Sequence, residues 1–260
     1  MKKYILLLTL TTLLFSCTDD VIDTSSGANI NLPTDPTEAV VLVKKIKITY
    51  SDNDELILNY NYDGNQLLNV THEDGSIMVS YTYNENGLLI RIDYVAFEAF
   101  TTFNYNTTNN TIDIFELYHI DYPAQEHTVI YNSDDTITVE NYYDGVLTSE
   151  DLITLDSNGN IIKIVDDTNE YVNNFTYDTK NNAYKNVSNI EIFHLSGATT
   201  EYGFDFVNGN FNNMNNWTET YQGEEVVENW DFTYNSEDYP TNAVLYYDGI
   251  EDAIVEYFYE

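Results

Sequence analysis

The stretch Ser80 to Ile92, SYTYNENGLLIRI, decides the fold. Tyr81 and Tyr83 stand two apart, so an extended chain places both on one face. Aromatic and β-branched side chains suit a pleated, half-buried surface. Asn86-Gly87 offers the positive φ of a tight hairpin turn. Leu88, Ile90 and Ile92 then resume a period of two. The segment reads as one β-hairpin.

The same unit recurs on both sides. Asn59 begins NYNYDGNQLLNV, Thr102 begins TFNYNTTNNTIDIF, and Thr128 begins TVIYNSDDTITVE. Leu152 begins LITLDSNGNIIKIV and Asn174 begins NFTYDTKNNAYKNV. Phe204 begins FDFVNGNFNNM and Asp231 begins DFTYNSEDYPTNAV. The last aromatic, or its equivalent, falls at Tyr62, Tyr83, Tyr105, Tyr131, Leu155, Tyr177, Phe206 and Tyr234, at intervals of 21 to 29 residues. Asp63-Gly64, Asn158-Gly159, Asn208-Gly209, Asp144-Gly145 and Asp248-Gly249 supply further turns. The period is least clear from Glu116 to Glu126. Two strands per unit predict roughly 16–20 short antiparallel strands, with no helix longer than two turns between Val40 and Glu260. The expected fold is all-β: a long antiparallel meander of hairpins forming a curved sheet that can close as a barrel or shell.

The strings YDGNQLL and YNENGLLIRI resemble the YD repeat of RHS-type proteins. They look most like lipoproteins of the Bacteroidota built from degenerate copies of that repeat. The resemblance spans about residues 45–260. It implies a long, curved antiparallel sheet and no activity. The Arg usual around the YD turn is missing, since Arg91 is the only Arg in the chain. The autoproteolytic core and toxin cargo of large RHS proteins are missing too, so encapsulation is not implied.

Composition narrows the function classes. The 260 residues carry 44 Asp and Glu against 9 Lys and Arg, a formal charge of −35. Such a field repels phosphate backbones, which argues against nucleic-acid binding. A single Cys makes neither an internal disulfide nor a thiolate zinc site.

That Cys sits in an informative place. Met1-Lys2-Lys3 is followed by an apolar run from Tyr4 to Phe15, too short to span a bilayer comfortably and typical of a secretory signal. Leu14-Phe15-Ser16-Cys17 resembles the lipobox of bacterial lipoproteins, with Phe15 bulkier than usual. The resemblance implies cleavage between Ser16 and Cys17 and lipidation of the Cys17 thiol. Acyl chains on one residue suffice for stable anchoring. Asp19 and Asp20 resemble the signal that exports such lipoproteins to the cell surface. The expected organisation is a signal peptide over 1–16, a lipidated spacer over 17–39 whose polar composition is that of a flexible tether, and one repetitive all-β domain over 40–260.

Candidate chemistry is sparse. Asp134-Asp135, Glu150-Asp151, Asp166-Asp167 and Glu224-Glu225 read as solvated turn and edge charges. Asp52-Asn53-Asp54-Glu55 and Asp156-Ser157-Asn158-Gly159-Asn160 place oxygens in tight loops, but Ile161 stands where a calcium loop needs Gly, so both read as turns. His72, His119, His127 and His194 lack zinc-ligand spacing, and His119 and His127 read as surface residues. No catalytic constellation, metal site or cofactor is expected. Trp217, Tyr221 and Trp230 are the candidate ligand-binding residues, because flat aromatic faces stack on sugar rings.

The resulting expectation is a non-enzymatic lipoprotein of the outer membrane. It meets the membrane through its N-terminal lipid, faces the exterior, and acts in adhesion or in binding a glycan or protein ligand. The alternatives are a glycan-binding accessory of a polysaccharide uptake system and an envelope hydrolase using a carboxylate pair.

Overall fold

A computed structural model describes residues 40–166, 168–199 and 210–260. The strands are β1 (Val43–Tyr50), β2 (Glu55–Asp63), β3 (Gln66–His72), β4 (Ile77–Tyr83), β5 (Leu89–Tyr94), β6 (Ala99–Tyr105), β7 (Ile112–His119) and β8 (Tyr122–Tyr131). They continue as β9 (Thr136–Tyr143), β10 (Val146–Leu155), β11 (Ile161–Asp166), β12 (Tyr171–Tyr177), β13 (Met214–Tyr221), β14 (Glu224–Tyr234), β15 (Pro240–Tyr247) and β16 (Ile250–Tyr259). Each pairs antiparallel with its neighbours in sequence. β1 also pairs with β16, closing a barrel of 16 strands among the described residues. The all-β meander is therefore observed in its closed form. The segment from Glu116 to Glu126, where the period falters, is the β7–β8 hairpin.

One expectation fails. Helix α1 (Ile190–Thr199) has ten residues, nearly three turns at 3.6 residues per turn. It lies in the 178–199 segment after β12, where no aromatic-x-aromatic pair sets a strand period. The Asn208-Gly209 turn and the strand starting at Phe204 fall partly or wholly outside the described residues.

The chain enters and leaves at one end of the barrel, here called the base; the opposite end is the rim. At the base, Asn84 Oδ1 accepts the amides of Asn86 and Leu88 at 2.9 and 3.0 Å. Asp156 and Asn235 do the same for Asn158 and Asn160, and for Glu237 and Tyr239. A short polar side chain thus closes each longer base turn by mimicking backbone. Asp156 spends its carboxylate on this turn, in line with the turn reading of that loop. At the rim, Asp144-Gly145 and Asp248-Gly249 both have positive φ at each position, the two-residue turn whose twist matches the flanking strands.

The buried strand residues mark the interior face. Leu58, Tyr60, Val79, Tyr81, Phe103, Phe115, Val139, Ile153 and Ile164 belong to one core. The 178–199 segment folds into its base side. Tyr184 meets Tyr60 hydroxyl to hydroxyl at 2.9 Å, and Phe193 packs edge-on against Tyr81 at 5.3 Å between ring centres. Asn189 bonds the backbone of Gly87 and Leu89. Asn186 bonds the carbonyl of Val41. Ala183, Val187, Ile190 and Leu195 complete this plug. A barrel of this strand number is too wide for its wall side chains alone to fill, and the plug supplies the missing apolar volume.

The outer face has the opposite character. Asn59, Asn61, Thr82, Asn104, Glu116, Glu126, Glu140, Glu150, Asn174, Thr218, Asp231 and Glu256 alternate with the core positions. A membrane-spanning barrel carries an apolar band outside and polar groups inside. This barrel gathers its buried apolar groups inside, and its wall is mainly polar and acidic, with Ile130, Leu152, Ile254 and Phe258 exposed between the polar positions.

Candidate functional site

The interior changes character toward the rim. Extending the inward phase of each strand past its apolar residues brings in polar ones. On β8, Tyr131 and Val129 are followed inward by His127. On β10, Leu155 and Ile153 are followed by Asp151 and Ser149. On β12, Tyr177 and Phe175 are followed by Asn173 and Tyr171. His127, Asp151, Asp166, Asn173 and Thr101 are all buried. His127 and the second member of the Glu150-Asp151 pair are therefore interior, not surface groups, because the period of two carries them inside. Asp166 is likewise buried, at the rim-side end of β11.

His127, Asn141, Ser149 and Asp151 form a connected network. Asn141 Nδ2 donates to Asp151 Oδ2 at 2.8 Å and to Ser149 Oγ at 3.0 Å. That turns Asn141 Oδ1 toward His127 Nδ1, 2.7 Å away. An amide oxygen only accepts, so Nδ1 carries the proton and Nε2 holds the lone pair. Nε2 is buried and has no partner among the described residues, as is Thr101 Oγ1. Phe115 stacks on the His127 ring at 4.4 Å between centres. Burial pulls the His127 pKa down, against the hydrogen bond it donates to Asn141. Burial, with Asp166 alongside, pushes Asp151 up to about 6.

Asp166 is held by its own turn, accepting from the amides of Thr168 and Asn169 and from Asn169 Nδ2. It lies directly opposite both Asp151 and Tyr171. Tyr171 donates to Glu219 Oε2 at 3.0 Å, and its own pKa is raised, chiefly by burial. A carboxylate tied into a turn by three donors is a poor general base, which weighs against a paired-carboxylate hydrolase here.

The aromatic candidates lie on the same inner face. Trp217 donates to Asn173 Oδ1 at 2.7 Å and is opposite Glu228. Trp230 donates to Glu228 Oε1 at 2.6 Å and stacks on Phe232 of the core. Tyr221 is exposed at the rim, opposite Tyr171. The structure thus bonds Trp217 to Asn173, gives Trp230 largely to the core, and leaves Tyr221 at the edge. Ser16, Cys17, Asp19 and Asp20 lie outside the described residues, as does the side chain of His194. No group of three or more His, Cys, Asp or Glu able to hold a metal occurs among the described residues.

Two crystal structures share this fold. A porin-like protein from Bacteroides vulgatus aligns with a TM-score of 0.50 and 12% identity, covering 85% of this chain and 99% of that one. A porin-like protein from Bacteroides uniformis aligns with a TM-score of 0.50 and 16% identity, covering 84% and 96%. No protein-family model matches the chain, and no curated protein matches it in sequence.

Proposed function

We propose that this protein is a non-enzymatic binding lipoprotein of the outer membrane, anchored through Cys17 and displayed at the cell surface. The observation that carries the reading is the polarity of the barrel. A wall dominated by Asn, Thr and Glu over a core of Leu, Ile, Val and Phe favours water over lipid, even with Ile130, Leu152, Ile254 and Phe258 exposed on it, so membrane attachment falls to the lipid. The lipobox ending at Cys17 supplies that lipid, and the porin-like neighbours from Bacteroides are consistent with an envelope setting. Because β1 starts at the base, the 17–39 tether joins the base. The rim, with its polar interior, is the end free to meet a ligand.

Cell fractionation tests this. Cys17→Ala is expected to move the protein from the membrane to the soluble fraction with its barrel intact by circular dichroism. Undiminished membrane retention of the variant would overturn the anchorage.

The second reading, a glycan-binding accessory, is favoured by Trp217 lying beside hydrogen-bonding groups on the inner face. Glycan-array binding by the purified chain would support it.

A further inference from the structure

Among the described residues, the rim-side carboxylates have no counter-charge. Asp151 and Asp166 are 8% and 6% exposed and face each other across β10 and β11. Among the described residues, the ion pairs use Lys44, Lys47, Arg91 and Lys180, with Glu260, Glu55, Glu256, Asp93 and Asp238 as their partners. Unpaired charge in a low-dielectric setting is costly. Asp166 is compensated by its turn, whereas Asp151 receives a single side-chain donor, Asn141, among the described residues.

A second observation does not depend on the carboxylates. His127 is 3% exposed, its Nδ1 proton is committed to Asn141, and its Nε2 lone pair has no partner. On an inward-facing histidine, Nε2 is the nitrogen farther from the backbone, so it is presented to the interior. A buried acceptor left open costs on the order of 1–3 kcal/mol unless something donates to it. The two unmet needs here are hydrogen-bond donors and positive charge.

We infer that the rim-side interior binds a small organic cation, an alkylammonium or guanidinium, whose N–H groups donate to His127 Nε2 and Asp151. A neutral sugar could donate to the same acceptors but would leave the charge uncompensated. The inference rests on the binding reading above and names its ligand class.

Isothermal titration calorimetry of the full chain in detergent, with putrescine, glucose and calcium chloride titrated separately, tests it. Saturable putrescine binding is expected. Asp151→Asn, which keeps the shape and can still accept from Asn141, is expected to weaken it about tenfold or more. His127→Phe keeps the stack on Phe115, removes the acceptor and should also weaken binding, with folding checked by thermal melting. Glu116→Gln on the outer wall should leave binding unchanged. Equal loss with Glu116→Gln would mean diffuse attraction to an acidic surface and would overturn the site. Glucose binding without putrescine binding would overturn the cation but keep a binding protein. Calcium binding alone, or no binding at all, would overturn the inference, while anchorage is judged separately by fractionation.

Discussion

Tyr83 on β4 donates its hydroxyl to the main-chain oxygen of Leu67 on β3, 3.0 Å away and sixteen residues earlier. The ladder between these strands stops at the Asn69–Ser80 pair, so toward the base a side chain spans the gap that backbone leaves. The arrangement repeats. Tyr62 donates to Val43 at 2.9 Å, Tyr177 to Ile161 at 2.6 Å and Tyr259 to Pro240 at 2.8 Å. Tyr105 donates to Leu89. In each case the ladder between the two strands ends short of the accepting residue. This gives a reason for tyrosine, rather than phenylalanine, at the last aromatic of most units. The ring fills the core and the hydroxyl satisfies a carbonyl that splaying strands have orphaned.

Tyr83→Phe is therefore expected to cost about 1 kcal/mol, the net value of one hydrogen bond, plus any penalty for the carbonyl left buried. Tyr177→Phe lies across the barrel, and the two losses should add. Urea denaturation of single and double variants measures this. A neutral pair would mean that water replaces the hydroxyls without loss.

Gly87 has φ of +80°, and a Cβ there would meet Gln66 Nε2 at 3.1 Å. A branched residue in that conformation costs roughly 1–2 kcal/mol. Gly87→Val should destabilise the barrel by at least about that much. Gly64→Val, with φ of +59° and no atom within 4 Å, should lose the strain term alone. Equal midpoints for Gly87→Val and the parent in chemical denaturation would contradict the turn.

Much of this architecture is legible in the sequence, and the gaps have a physical origin. The pairs Tyr81/Tyr83 and Phe175/Tyr177 fix both the strands and their inner face, because a period of two leaves one choice of face. Barrel closure is not local: the β1–β16 pairing depends on curvature accumulated over the whole meander. The plug escapes a strand-based reading because Ala183, Tyr184, Val187, Ile190 and Phe193 follow neither a period of two nor a long helical one. The polar site was within reach. Counting back by twos from Tyr131 gives His127, and from Leu155 gives Asp151. Reading acidic residues as solvated by default hid a phase that the apolar residues had already set.

Asn189 ties the plug to the wall through the Gly87 carbonyl at 3.1 Å and the Leu89 amide at 3.3 Å. Asn189→Ala removes both bonds and is expected to cost about 1–3 kcal/mol. The loss should fall first on the 178–199 segment. Hydrogen exchange should show faster exchange there than in β7 and β8. A uniform increase across the barrel would mean that plug and wall open as one unit.

Asp151 makes stability depend on pH with a definite sign. Its ordinary pKa of 3.8 is raised in the folded state to about 6, chiefly by burial and then by Asp166. Between those values the folded protein holds a proton that the unfolded chain has released. Stability therefore falls as pH rises through this window, by at most about 3 kcal/mol from this one group. His127 works the other way. Its pKa is lowered by burial, so acidification through its ordinary value of 6.5 protonates the unfolded chain first and costs stability. His127, Asp166, Tyr171, Glu219 and Glu228 also titrate on this inner face, and all remain in an Asp151→Asn variant. The difference between parent and variant thus isolates Asp151. Asp151→Asn should be the more stable protein at pH 7, and its advantage should vanish by about pH 4, where both carry a neutral side chain. Urea midpoints at pH 4, 5, 6 and 7 measure it. A pH-independent difference between the two would mean that Asp151 titrates as an ordinary solvated carboxylate.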